Sequence, residues 1–300
     1  MFRRQAWQGF LFILPAVVLL TVLVVWPMIR TIYFSFGETN SRLQSTRWVG
    51  FDNYERLFTK DKEFLNLEVF PPEGALINNL KWVVLYTSIS LALGLLIAVL
   101  AVRVRYESLV KAIIFVPMAI SATAVAIIWK FVYDPDPDVG SLNAVISLLG
   151  GDPITWYGRA DVVNYALIFA YIWASTGFAM VVISAALKGI SEEVLEAART
   201  DGASEWDIFR RIQLPLLSLP LSVVTVWLLI NVIKVFDIIY VMTGGGPGGS
   251  SEVIAFSMYD ETFTNAEGGY GATMAVVMLL LIIPIMAFNV RRFRSERVVG

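Results

Sequence analysis

The chain contains no cysteine and no histidine among its 300 residues. These absences exclude disulfides, thiolate nucleophiles, zinc sites of the usual kind and histidine-based acid–base catalysis. Charged residues are scarce as well, at 16% of the sequence against about a quarter in soluble domains. The net charge is only −2, so the charge balance does not indicate a nucleic-acid partner.

Apolar residues are correspondingly abundant and make up 57% of the sequence. They are concentrated in six segments that each reach the roughly 20 residues needed to cross a bilayer. Because backbone groups in lipid must be hydrogen-bonded within their own segment, these spans are expected to be helices. The sequence thus predicts an all-α, polytopic membrane protein with a single transmembrane domain over residues 1–300. The six spans lie near residues 9–36, 77–102, 111–133, 162–187, 216–241 and 269–290.

Lysine and arginine are concentrated in the segments on one side of these spans, which the positive-inside rule makes the cytoplasmic side. This side includes Arg3 and Arg4, Lys188, and the basic run that starts at Arg291. Both termini are therefore expected in the cytoplasm, as in a multi-pass protein of the cell membrane. The apolar run after Arg4 is too long for a secretory signal and shows no good cleavage site, so we expect a retained first span.

The longest polar interruption on the cytoplasmic side, residues 188–215, is interpreted as two short helices around a break. Ser191 is expected to cap the first helix, and Ser204 the second. Between them, Gly202 is expected to end the first helix, because glycine adopts the left-handed conformation without a steric penalty. Pro215 is expected to stop the second helix before the next span.

Val194, Ala197 and Ala198 fall on one face of the first helix, and small residues on a short exposed helix fit close docking into a groove of another protein. On spacing alone, an ordinary amphipathic loop remains the alternative. The residue types, however, resemble the EAA signature of ABC-importer membrane subunits. The residues that carry this resemblance are Glu196, Ala197, Ala198, Asp201, Gly202, Ala203, Phe209, Ile212, Leu214 and Pro215. A second stretch, Thr243 to Pro247, resembles the TGGGP segment of sugar-importer membrane subunits.

The resemblance covers nearly the whole chain. It is to the permease subunits of binding-protein-dependent ABC sugar importers of prokaryotes, especially the larger membrane subunit of maltose and disaccharide importers. It implies that residues 188–215 form a coupling loop between spans four and five that seats on a separate ATPase. The implied coupling residues are Glu196, Ala197, Ala198, Asp201, Gly202 and Ala203.

The same resemblance implies a set of partners in the membrane and on both of its sides. These are two ATPase subunits that bind ATP and Mg, a second permease subunit of similar fold, and an extracytoplasmic sugar-binding protein. The chain itself would bind no cofactor or metal, would contact membrane lipid and its sugar, and would not be an enzyme.

Two stripes of aromatic and polar residues are candidates for binding a substrate within the membrane. Aromatic rings can stack on the C–H face of a sugar, and hydroxyl and amide groups can hydrogen-bond its hydroxyls. The alternative is that the aromatic side chains only pack the bundle or belong to the interfacial belt. Lys234 and Asp237, near the outer boundary, would then extend their charges toward the interface or pair with each other. The stripes consist of Tyr171, Ser175 and Phe178 in the fourth span and of Trp227, Asn231 and Lys234 in the fifth.

The resemblance supports part of this assignment. When the chain is aligned on its coupling loop, several positions fall where the maltose importer's larger subunit lines its sugar site. These positions are Tyr171, Ala174, Ser175, Phe178, Leu228, Asn231 and Val232. Most residue types differ there, so the sugar need not be maltose. The expected function is ATP-driven import of a sugar, of di- or oligosaccharide size, by alternating access.

Two sequence motifs are interpreted as structural. The run from Gly244 to Gly249 fits GxGxxG, but it follows a membrane span instead of linking a strand to a helix, so we expect a flexible turn. The segment from Asp134 to Asp138 lacks the glycine and glutamate of a calcium loop, so a solvated acidic loop is expected. The long outer loop over residues 38–76 is expected to be partly ordered.

Two other classes of function remain open at this point. A self-contained secondary transporter or channel for a small polar solute would need paired inverted repeats or charges deep in the spans, and neither is evident. A polytopic membrane enzyme would need a cluster of catalytic groups at one membrane face. Dependence on ATP and a separate ATPase distinguishes the importer from both.

Overall fold

A computed structural model describes residues 12–40, 42, 44–102 and 104–299, and the predicted all-α membrane class is confirmed within them. One small sheet is added to the helices, in which strands β1 (Gly37–Thr39) and β2 (Ser45–Trp48) pair antiparallel. Residues 9–11, the predicted beginning of the first span, lie outside the described part of the chain.

The helices are numbered here in chain order. They are α1 (Phe12–Phe34), α2 (Asp52–Glu55), α3 (Ala75–Ala101), α4 (Glu107–Phe115), α5 (Ala122–Val132), α6 (Ser141–Leu148), α7 (Val163–Lys188), α8 (Glu192–Thr200), α9 (Glu205–Ile208), α10 (Leu214–Leu216), α11 (Ser218–Ile233), α12 (Asp237–Met242), α13 (Ile254–Tyr259) and α14 (Gly268–Val299). Wider π-type turns occupy Thr21–Val25 within α1, Arg56–Lys60, Phe209–Gln213 and Asp260–Thr264, and a 3-10 turn occupies Val116–Ala119.

Four described helices are long and apolar enough to cross a membrane, namely α1, α3, α7 and the Gly268–Arg291 part of α14. Two further candidates are bent pairs. Glu107–Ala119 meets α5 at 102°, and Glu205–Leu216 meets α11 at 66°. The described chain therefore has four spans, or up to six if each bent pair is one span. The predicted six is the upper end of that range.

The bend before the fifth span lies close to Pro215, where the sequence predicted that the helix would stop. Pro215 is one residue from the end of the helical segment Glu205–Leu216. The bend comes two residues later, at Leu217, and α11 begins at Ser218. The predicted fifth span is also interrupted at its outer end, since α11 ends at Ile233 and α12 begins at Asp237.

Contacts divide the chain into two compact units. The first combines residues 1–61 with 257–279, and the second combines residues 62–256 with 280–300. Each unit is assembled from separate stretches of sequence, and this division does not test the predicted single domain over residues 1–300. That assignment stays a prediction.

In the first unit, the beginning of the long outer loop is ordered, as expected, by hydrogen bonds and packed rings. The Asn53 amide donates to the carbonyls of Ser35 and Gly37, each at 3.1 Å. Aromatic side chains then enclose the hairpin, with centroids 5.2–5.8 Å apart. The rings are those of Tyr33, Phe36, Trp48, Phe51 and Tyr54.

In the second unit, α3 and α7 pack closely through small residues. A Cβ added at Gly94 of α3 would lie 2.5 Å from the Cβ of Ala179 on α7, so only glycine allows this approach. Small residues at a contact are the usual means by which membrane helices come close. The helix pair fixes the position of α7, which carries the first predicted stripe.

The glycine run after α12 is not the flexible turn that the sequence predicted. Ser251, fully buried, donates its hydroxyl to the Gly246 carbonyl at 2.7 Å and lies 2.8 Å from the Thr243 hydroxyl. Gly245 has φ +83°, and a Cβ there would lie 2.6 Å from the Phe256 ring. The glycines therefore allow residues 243–253, between α12 and α13, to form a closely bonded loop, called here the glycine-rich loop.

Candidate functional site

A cavity of about 170 Å³ lies in the second unit, where the third span is broken. Pro117 in the 3-10 turn and Ile120 at the break form one wall. The break is stabilised at the start of α5, where Ser121 accepts a bond from the Ala124 amide at 3.3 Å. Interrupted helices are a common way to build substrate sites in transporters, because the backbone can open only where it lines a cavity.

The structure brings four of the predicted substrate residues to this cavity. Tyr171, Ala174 and Ser175 reach it from α7, and Trp227 reaches it from α11. The cavity wall is thus mainly apolar, with a phenol and a hydroxyl as its predicted polar groups. That combination can hold the C–H face of a ring and hydrogen-bond its hydroxyls.

Tyr171 is oriented by aromatic neighbours that sequence analysis missed. Its ring lies 5.6 Å from the ring of Trp82 and 5.0 Å from that of Tyr86, both on α3 and both fully buried. Trp82 and Tyr86 lie at i and i+4 on α3, so their spacing could have been noticed, but the pairing of α3 with α7 could not.

Phe178 lies beside the cavity and contacts Trp227. Its ring stacks on Trp227 with 4.0 Å between centroids and an interplanar angle of 29°. This contact joins α7 to α11 and shows that the two predicted stripes do meet. Phe178 is not among the residues that line the cavity, and it touches a residue that does.

Four other predicted residues do not line the cavity. Leu228 and Val232 are fully buried among packed side chains, as bundle packing requires. Asn231 is half-buried, and its amide donates to the Trp227 carbonyl at 2.8 Å. Lys234 is exposed at the end of α11, and the described ion pairs do not include one between Lys234 and Asp237, so of the two alternatives for these charges the pairing is not seen.

The coupling loop has the predicted helix–break–helix form, with one correction. Ser204 accepts a bond from the Asp207 amide at 3.1 Å and so caps α9. Gly202 has φ +82°, as a helix-ending glycine does. Ser191 occupies the position before α8 but makes no capping bond with its side chain, so the predicted cap is wrong there.

The break is stabilised by bonds within the loop. The amide of Ala203 donates to the Ala198 carbonyl at 3.0 Å, and the Arg199 guanidinium lies 2.9 Å from the Glu205 carboxylate across the break. The hydrogen bond to Glu205 raises the pKa of Arg199 above its ordinary value. Ile208, at 1% exposure, is the buried anchor of α9, and sequence analysis had missed it.

One side of the coupling loop is exposed. Glu196, Ala197, Asp201 and Gly202 are exposed, while Ala198 and Ala203 are half-buried. Large apolar side chains are exposed beside them, with Val194 at 47% and Trp206 at 66%. An apolar face of this kind, next to small residues, is typical of a protein interface.

A second feature that sequence analysis missed ties this loop to the third span. Glu107, at the start of α4, pairs with Lys111 and, at 2.9 Å, with Lys188 at the end of α7. The carboxylate therefore connects the base of the coupling loop to the helix that leads into the cavity wall. An isolated glutamate among basic residues was the only available sequence signal.

Comparisons with known proteins give the family. The binding-protein-dependent transport system inner membrane component family matches residues 90–294. The osmoprotective compounds uptake permease protein GgtC of Synechocystis is 45% identical over 290 residues, which cover 95% of this chain and 99% of that protein. The alpha-glucoside transport system permease protein AglF of Rhizobium meliloti is 38% identical over 294 residues, or 96% and 83% of the two chains.

A solved structure has the same fold. A chain of the bacterial alginate ABC transporter, in complex with an alginate pentasaccharide-bound periplasmic protein, matches with a TM-score of 0.80. The match covers 98% of this chain and 96% of that one at 22% identity. The present chain therefore belongs to the family of binding-protein-dependent transport system inner membrane components.

This membership confirms the class of function predicted from the sequence. The chain is a multi-pass, membrane-spanning permease subunit of an ABC importer that works with a binding protein, and it is not an enzyme. A self-contained channel, a secondary transporter and a membrane enzyme are thereby set aside.

Proposed function

We propose that the chain moves a sugar, of di- or oligosaccharide size, into a prokaryotic cell by alternating access, and that the cavity at the broken third span holds part of it. The observation that carries this proposal is the convergence of Tyr171, Ser175 and Trp227 on one cavity. These residues come from helices that are separate in sequence, and their side chains offer both stacking and hydrogen bonds.

The contacts favour a division of roles among the predicted residues. Tyr171, Ser175 and Trp227 would touch the sugar, and Ala174 would leave room for it. Phe178 would hold Trp227, while Leu228 and Val232 would pack the helices around the site. Asn231 and Lys234 would act only in a state in which α11 has turned or moved.

The names of similar proteins support a carbohydrate or another small polar solute. GgtC is named for osmoprotective compounds and AglF for alpha-glucosides, and the solved transporter imports alginate. A cavity of about 170 Å³ in one subunit suits part of such a solute, with the remaining contacts supplied by a second permease subunit of similar fold.

The coupling loop would carry the ATPase motion. The exposed face around Glu196, Ala197 and Gly202 would seat on one of two separate ATPase subunits, which bind ATP and Mg. The salt bridges of Glu107 then offer a route from the base of that loop to the cavity wall. With the loop and both termini in the cytoplasm, the glycine-rich loop faces outward, where the sugar-binding protein docks.

The proposal is tested by reconstituting the full importer in liposomes and measuring uptake over a panel of sugars, with ATP inside. One di- or oligosaccharide should be taken up in an ATP-dependent way, and Trp227→Ala should raise its KM. Uptake that continues without the ATPase subunits, or a KM that Trp227→Ala leaves unchanged, would contradict the proposal. Trp173→Ala, on the exposed side of α7, is the matched control.

A further inference from the structure

Three asparagines at the outer ends of α3 and α7 are buried and connect these helices to the glycine-rich loop. Asn78 and Asn79 of α3 are 2% and 4% exposed, and Asn164 of α7 is 5% exposed. A side-chain amide that is buried among apolar helices loses its hydrogen bonds to water, so it is usually bonded to other protein groups. The partners of these three amides therefore indicate their structural role.

Two of the asparagines bind backbone carbonyls of the loop. The Asn78 amide donates to the carbonyls of Ser250 and Glu252, both at 2.9 Å. The Asn164 amide donates to the same Ser250 carbonyl at 2.7 Å and to the Asn78 side-chain oxygen at 3.3 Å. The Trp82 indole in turn donates to the Asn164 oxygen at 3.3 Å. One network thus joins α3, α7 and the loop.

The third asparagine joins the loop to the helix of the cavity. The Asn79 oxygen accepts a bond from the Ile254 amide at 2.7 Å, and its amide donates to the Val232 carbonyl at 3.4 Å. Val232 lies in the last turn of α11, and its carbonyl also accepts a bond from the Val235 amide at 3.3 Å. Asn79 therefore fixes the end of α11 to the segment that follows the loop.

These bonds cannot be exchanged for water without opening the packed interior. Loss of one partner would leave a buried amide or carbonyl unsatisfied, which is more costly than a broken surface bond. The loop, the outer ends of α3 and α7, and the end of α11 are thus expected to move as one body. The loop itself remains accessible, since Gly244 and Gly248 are exposed.

We propose that Asn78, Asn79 and Asn164 are positioning residues that transmit docking of the sugar-loaded binding protein from the glycine-rich loop to α11 and its Trp227. The inference rests on the proposed function, because it assumes that the loop faces the binding protein and that Trp227 faces the sugar. None of the three asparagines lines the cavity, so their effect on the sugar would pass through the position of α11.

The test measures ATP hydrolysis by the complete importer in liposomes, with and without the sugar-loaded binding protein. Asn79→Leu keeps the side-chain volume and removes both bonds. We expect unchanged basal hydrolysis, while the stimulation by the binding protein falls about tenfold or more, within the range typical of coupling between sites. Asn79→Asp keeps the acceptor for the Ile254 amide, so its stimulation by the binding protein should lie between that of Asn79→Leu and that of the unmodified chain.

Asn143 provides a matched control. It is fully buried and donates to the carbonyls of Asp134 and Ile154 at 2.7 and 2.9 Å, but every partner lies in its own outer loop. Asn143→Leu should lower the thermal stability of the importer without changing the stimulation ratio. If Asn143→Leu and Asn79→Leu lower that ratio equally, or if Asn79→Leu keeps it, the buried amides serve folding alone and the proposal is wrong.

The unmodified importer separates this inference from the proposed function. If it shows no stimulation with any sugar-loaded binding protein, the proposed function fails. If it is stimulated and Asn79→Leu is stimulated equally, only the positioning role fails. Because the chain has no cysteine, a single cysteine can be placed on the loop, and its labelling rate checks that the loop is still presented in each variant.

Discussion

The bonds that shape the coupling loop join near neighbours in the chain, whereas the contacts that shape the cavity join different helices. In the loop, Arg199 pairs with Glu205 six residues away, and Ser204 caps α9 by accepting a bond from the Asp207 amide three residues away. In the cavity, the Tyr171 ring packs on α3 and the Phe178 ring stacks on α11. A change in the loop should therefore alter its outer surface, and a change at the cavity should alter both sugar contacts and helix packing.

The largest effect is expected from a bulky residue at Gly202. Its φ of +82° is strained for a β-branched side chain by about 1–3 kcal/mol, so we expect Gly202→Val to shift the loop and lower uptake about 100-fold. The amount of chain in the membrane should stay the same. Gly150→Val is the matched control, because Gly150 has φ +83°, equally open surroundings and a place in an outer loop. Similar losses in both variants would contradict a coupling role.

A smaller but selective effect is expected at Trp227. Removing its ring with Trp227→Ala should raise the KM for the sugar about 30-fold, as expected for a lost stacking contact of about 2 kcal/mol. Trp227→Phe, which keeps a ring against Phe178, should recover most of the affinity. An equal rise in both variants would show that the effect comes from packing around the indole and not from a ring that faces the sugar.

The Tyr171 hydroxyl should contribute less to sugar affinity than the Trp227 ring does. Tyr171→Phe removes one hydrogen-bonding group and should raise the KM by about tenfold or less, because a neutral hydrogen bond contributes about 0.5–1.5 kcal/mol. Tyr165→Phe, on the exposed side of α7, should leave the KM unchanged. Uptake kinetics over a sugar concentration series distinguish the two variants, and an unchanged KM in Tyr171→Phe would remove this hydroxyl from the site.

The smallest effect is expected at the ion pair across the loop break. Arg199 and Glu205 are nearly half exposed, so solvent screens their attraction, and we expect Arg199→Gln to change uptake by less than about threefold. Arg159 forms a similarly exposed pair with Asp161, so Arg159→Gln should also change uptake by less than about threefold. A much larger loss in Arg199→Gln alone would indicate that this guanidinium contacts the ATPase directly.

The sequence predicted best what depends on near neighbours. The break at Gly202 and the cap at Ser204 follow from residue types a few positions apart, and both are present. Ser191 failed because a capping residue type does not ensure that the side chain turns toward the helix end. The stop at Pro215 depends on a single residue type, and the helical segment ends one residue after it, at Leu216.

Helical spacing predicted which faces of α7 and α11 carry aromatic and polar groups, but it could not give their partners. The pairing of Tyr171 with Tyr86 and the 102° bend beside Pro117 depend on how the helices pack. The glycine-rich loop was misinterpreted for the same reason. Its anchor, Asn78, lies on α3, far away in the sequence.

The most direct test of the account is a titration of ATP hydrolysis by the complete importer with sugar-loaded binding protein, run on Trp227→Ala and Gly202→Val side by side. We predict that Trp227→Ala lowers sugar affinity in parallel uptake assays while its hydrolysis is still stimulated, and that Gly202→Val loses the stimulation while sugar binding is kept. If both variants lose the same property, the cavity and the coupling loop are not separate functional regions, and the account is wrong.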